Sequence, residues 1–125
     1  MARNLTITHP SKLEWANDTD VLTLGRGLQV KVLHHNPETE ELSVLVKFPA
    51  GYHEPAHKHH SSHSYLVLEG TQIVDGERLT QGDFVYGGRE VQHGPFDYPD
   101  GCVVFSVFKG PSAQHRYPGS PGGEM

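Results

Sequence analysis

The sequence predicts an all-β chain folded as an antiparallel sandwich or barrel, and three observations carry that reading. Apolar and polar residues alternate with a period of two in several short runs. Fourteen glycines and nine prolines punctuate those runs at short, regular intervals. Val, Thr, Tyr and Phe recur within them, a mix that suits pleated strands and leaves no room for a sizeable helical bundle.

The elements follow in chain order. Leu28, Val30 and Val32 alternate with Gln29 and Lys31, and Leu42, Val44, Val46 and Phe48 alternate with Ser43 and Lys47, so each run reads as a half-buried strand. The turn chemistry of His35 to Glu40 separates them. Further strands are expected at Ser64–Leu68, Gln72–Val74, Asp83–Tyr86 and Cys102–Phe108, bounded by Glu69-Gly70, Asp75-Gly76, Gln81-Gly82, Gly87-Gly88 and Asp100-Gly101. Leu5–His9 and Val21–Leu24 read as extra strands or a dimer arm, with Ser11–Thr19 as a loop that places Trp15. From Lys109 onward, Gly and Pro deny regular structure. The expected organisation is an N-terminal segment over 1–26, a barrel over 27–110 and a flexible tail over 111–125.

A chain of 125 residues is one domain and buries enough apolar surface to need no cross-link. Its single cysteine, Cys102, excludes an internal disulfide and reads as a small buried hydrophobe. Ten Lys and Arg against fifteen Asp and Glu leave a net charge of −5, and the basic residues are scattered singly, so no nucleic-acid partner is expected. No run approaches the roughly 18 apolar residues of a membrane helix, and Met1–Pro10 lacks a secretory core, so the expectation is a cytoplasmic protein without a membrane partner. Exposed sheet edges argue for a homodimer.

Histidine is the outlier. The chain has ten, and four of them fall between His57 and His63. His57 and His59 are two apart and share a strand face, His63 keeps the same parity, and a bend through His60-Ser61-Ser62 would return it to the same centre. Several neutral imidazoles on one face suit iron, nickel, copper or zinc better than magnesium or calcium. His60, of opposite parity, should point outward; His53 lies on the turn side of Pro55; His9, His34, His35 and His115 read as surface residues. The alternative to a metal site is a solvated, histidine-dense loop.

Two motifs in this region resemble those of the cupin family. Gly51, His57, His59, His63 and Gly70 match the first cupin motif in spacing, with His63 standing where the family usually has Glu. Gly82, the turn Gly88-Arg89-Glu90, His93 and Asp97 match the second, with Gly88, Glu90 and Asp97 replacing the usual Pro, Gly and Asn. The resemblance covers about Gly51 to Asp97 and implies a double-stranded β-helix, the jelly-roll cupin barrel. It also implies one divalent transition metal, iron first, held by His57, His59, His63 and His93. The run Leu33–Thr39 followed by Phe48-Pro49-Ala50-Gly51 is similar to small cupins that cleave β-diketones and to the cupin half of zinc-binding anti-sigma factors. The all-histidine set resembles small manganese cupins.

Four imidazoles add no charge, so a divalent ion would favour an anionic or enolisable small-molecule substrate. The leading expectation is a dioxygenase that cleaves a carbon–carbon bond of an enolisable ketone. The alternatives are a non-redox isomerase, lyase or decarboxylase, and a sensor cupin without catalysis. Tyr65 shares the inward face with His63 and either donates a hydrogen bond to substrate or fills the barrel; Asp97 and Glu54 are the candidate acid or base groups. Phe48, Tyr86, Phe105 and Phe108 are candidate pocket walls, with plain core as the alternative for each. Arg89 and Glu90, on the turn before His93, read as a solvated pair at the rim.

Overall fold

The computed structural model describes residues 4–22, 24–58 and 61–110. Within them lie nine strands: β1 (Gln29–His35), β2 (Leu42–Phe48), β3 (Tyr52–Glu54), β4 (His63–Gly70), β5 (Gln72–Val74), β6 (Glu77–Leu79), β7 (Phe84–Gly87), β8 (Phe96–Tyr98) and β9 (Cys102–Phe108). A short 3-10 turn covers Pro10–Lys12. The strands form a five-stranded sheet in the order β1-β2-β9-β4-β7 and a four-stranded sheet in the order β3-β8-β5-β6, with every pairing antiparallel. Consecutive strands alternate between the sheets across the middle of the chain, which is the jelly-roll connection.

Alternation decides what each strand buries. In β2 the residues Leu42, Val44, Val46 and Phe48 are buried, and in β4 His63, Tyr65 and Val67 are. Val104, Ser106 and Phe108 of β9 complete the inner face of the large sheet. The small sheet answers with Phe96 and Tyr98 of β8, Glu54 of β3 and Gln72 of β5. The Phe48 and Tyr98 rings stack across the two sheets at 4.0 Å between centroids.

β2, β5 and β9 have the expected bounds, while β1, β4 and β7 are shifted by one or more residues. Three strands, β3, β6 and β8, have no counterpart in the sequence reading, because each has three residues, too few to show a period. Among the described residues Leu5–His9 and Val21–Leu24 are not strands. Instead Leu22 and Leu24 enter the core with Leu28, and Ala16 bridges Val30. Asn17 Nδ2 donates to the carbonyls of Gly25 and Leu28, closing that loop onto the barrel. Trp15 lies against β1 and β2, with the Lys31 and Lys47 ammonium groups 4.9 and 5.1 Å from its ring. The expected tail, 111–125, lies outside the described residues. No described helix is long and apolar enough to cross a membrane.

Candidate metal centre

His57 and His93 face each other as an isolated antiparallel bridge, each backbone N–H donating to the other's carbonyl at 2.9 Å. That bridge sets their rings 5.0 Å apart between centroids. His63, at the start of β4, brings its ring within 5.2 Å of His93 and stacks on Phe108 at 5.3 Å. Its other face rests on β7, where Gly87 is its cross-strand partner. A Cβ on Gly87 would lie 2.7 Å from His63 Cε1, so only glycine leaves room for this ring.

The tautomers follow from the partners. His57 Nδ1 contacts the Pro55 carbonyl and His93 Nδ1 the Val91 carbonyl, both at 3.0 Å. A carbonyl only accepts, so each Nδ1 carries the proton and, in the neutral ring, Nε2 keeps its lone pair, the arrangement found in metal-ligating histidines. Burial, and then the neighbouring His93 and His57, push the His63 pKa down to about 4. Burial, and then His57, also lower that of His93. Both are therefore neutral donors at pH 7.

Two imidazoles sharing an ion at about 2.1 Å per bond and roughly right-angled to tetrahedral separation have ring centres about 4.6–5.3 Å apart. Both measured separations fall in that span. The chemistry of these donors suits a transition ion, while among the described residues no group of three or more His, Cys, Asp or Glu side chains is placed to hold one. The expected fourth ligand, His59, and the outward-facing candidate His60 lie outside the described residues.

Two cavities meet at His63. An inner one of about 20 Å³, the size of one water molecule, is lined by Glu54, Tyr65, Gln72, Tyr98, Phe48 and Phe108 among others. An outer pocket of about 190 Å³ opens beside His63 and His93 against Val74, Val85, Val91 and Phe96. A larger cleft, about 410 Å³, lies at the other end of β4 around Gly70 and Gly101 and holds no histidine, so size does not mark the chemistry here.

Several expected site residues are placed differently. Asp97, a candidate acid or base, points away from the pocket: β8 turns Phe96 and Tyr98 inward, so Asp97 faces solvent and accepts a 2.7 Å hydrogen bond from His53 Nδ1. Phe105 lines neither of the two cavities at His63: it is an odd number of residues from Phe108 and lies on the outer sheet face between Leu45 and Leu66. Tyr86 is 65% exposed and reaches the outer pocket only at its rim, while Phe48 and Phe108 line the inner cavity. Tyr65 does point inward, but its hydroxyl donates to Gln72 Oε1 at 2.5 Å. Burial raises the Tyr65 and Tyr98 pKa values, and Glu54 adds to both. Glu54 itself is 2% exposed, the most buried carboxyl group described. Cys102 is buried, with its pKa pushed up to about 12 chiefly by that burial, as befits an inert thiol. Glu90 pairs with Lys58 at 3.6 Å. Phe96, Asp75 and Gln92 also line the outer pocket; each sits on a short strand or turn whose facing no period revealed.

Residues 4–113 match the family described as the ChrR cupin-like domain. The chain belongs to that family. This cupin also resembles solved structures. A candidate acetylacetone dioxygenase from Methylibium petroleiphilum PM1 aligns with 96% of this chain and 87% of its own, at 20% identity and a TM-score of 0.74. An acetylacetone dioxygenase from Acinetobacter johnsonii aligns with 90% of this chain and 83% of its own, at 19% identity and a TM-score of 0.63. The anti-sigma protein ChrR of Rhodobacter sphaeroides, solved with SigE, aligns with 80% of this chain at 21% identity and a TM-score of 0.61; the match spans 51% of ChrR. At such identities the likeness shows the shared fold. No curated protein matches this cupin.

Proposed function

We propose that this cupin is a metal-dependent dioxygenase that cleaves a carbon–carbon bond of a small enolisable ketone. The observation that carries the reading is the pairing of neutral histidine donors with an adjoining apolar pocket: His63 and His93 belong to both. The likeness to acetylacetone dioxygenases supports the choice of substrate class. His57, His63 and His93 would hold the ion, with His59 as the proposed fourth ligand and iron as the first candidate. When bound, the ion supplies Lewis acidity toward a chelating carbonyl and a redox partner for O2.

The chain's own residues do the rest. The Pro55 and Val91 carbonyls hold two imidazoles in the donor tautomer, and Gly87 admits the third. Val74, Val85, Val91 and Phe96 exclude water from the apolar ends of a substrate. A pocket of about 190 Å³ is below the usual span for drug-sized ligands and selects a smaller molecule.

Family membership favours a second reading, a metal-holding sensor without catalysis. Metal analysis of the purified protein, followed by oxygen uptake with acetylacetone after iron loading, separates the two. About one equivalent of metal, and uptake abolished by His93→Ala, is the expected result. A saturated zinc site with no uptake after iron exchange would leave the sensor reading standing.

A further inference from the structure

Asp75 gives the outer pocket a charge that the histidines do not. It is the first central residue of the two-residue turn joining β5 to β6, with Val74 paired to Glu77 across it. φ is 51° at Asp75 and 80° at Gly76, the left-handed pair that such a hairpin requires and that Asp-Gly tolerates. The turn sets Asp75 into the wall of the outer pocket beside His63 and His93. Every other lining residue there is apolar, an uncharged polar group, or a histidine whose pKa is lowered. Among the nearby rim charges Lys58 and Glu90 are paired with each other, and Arg89 lies outside the lining.

We propose that Asp75 is a specificity-determining residue that biases this site toward small carbonyl compounds entering uncharged, and against those that already carry a carboxylate. The proposal rests on the metal-site reading above. A divalent ion among neutral imidazoles would otherwise attract any small anion without discrimination. A carboxylate in the pocket wall opposes that attraction within about one Debye length, roughly 8 Å at physiological salt. Neutral diketones do not meet this repulsion on entry, whereas keto acids do. Asp75 is exposed, so the effect is a matter of several-fold and not of orders of magnitude.

The test compares wild type with Asp75→Asn, a change that keeps the turn because Asn also accepts left-handed φ. Both are loaded with cobalt and titrated with sodium azide, read from the ligand-field spectrum. The variant should bind azide about threefold more tightly at low salt, and the gap should close at high salt. Glu77→Gln removes an exposed carboxylate from the same hairpin outside the pocket lining, and should leave azide affinity unchanged. With iron, the preference for acetylacetone over acetoacetate should narrow by a similar factor in Asp75→Asn. Equal azide affinities in wild type and Asp75→Asn, or an equal gain in Glu77→Gln, would overturn the role of Asp75 while leaving the metal site intact. Failure of the protein to take up any metal would overturn both readings.

Discussion

His63 shows how much one residue's placement depends on what its neighbours lack. Its ring is held between Phe108 and the bare backbone of Gly87, and a methyl group at Gly87 would displace it or push β7 away. Gly87→Ala should therefore weaken metal binding by at least about tenfold, in the range seen when groups that orient ligands are altered. A metal titration of folded protein checks this, and unchanged affinity would mean that His63 is not a ligand. The parity of His57 and His63 was legible in the sequence, as was the inward face shared by His63 and Tyr65. The cradle was not: Gly87 and Gly88 look like turn punctuation until the pairing of β4 with β7 places one of them opposite His63. Asp97 went the other way, since its position in a motif says nothing about which face a three-residue strand presents.

At the scale of elements, a polar chain ties the two sheets together. Tyr65 of β4 donates to Gln72 Oε1 of β5, and Gln72 Nε2 donates to the Tyr98 hydroxyl of β8 at 3.0 Å, all out of solvent. Buried amides and hydroxyls hold their place only when satisfied, so the chain fixes the register of the small sheet against the large one. Tyr65→Phe keeps the ring but leaves Gln72 Oε1 without that donor, and should cost about 1–3 kcal/mol in a urea unfolding curve. Oxygen uptake by the folded fraction should persist, because the hydroxyl is committed to Gln72. A large loss of turnover at unchanged stability would return Tyr65 to the substrate. The long strands that carry this chain were readable from their alternation, whereas β3 and β8 are too short for a period and were found only through their partners. The buried face of β3 is the clearest example, because Glu54 in a polar tripeptide gives no hint of burial.

For the molecule as a whole, the same burial that prepares the histidines for metal makes the metal-free fold sensitive to acid. His63 has a pKa of about 4 when folded and an ordinary value near 6.5 when unfolded, with burial as the main cause. Between those values the unfolded chain binds a proton that the folded chain refuses, so stability falls as the pH falls. The contribution is complete above about pH 6.5 and is lost by about pH 4, and that span corresponds to about 3 kcal/mol. His93 is lowered too and acts in the same direction. Urea midpoints of metal-free protein should thus decline steadily from pH 7 to pH 4.5, and His63→Gln, which has no proton to refuse, should flatten much of that slope. A bound ion ought to shift the decline to lower pH, because it too requires the unprotonated rings and binds only the folded state. If the metal-free protein is equally stable at both ends of this range, His63 is more open to solvent than its place between Phe108 and Gly87 implies, and the case for a preformed centre weakens with it.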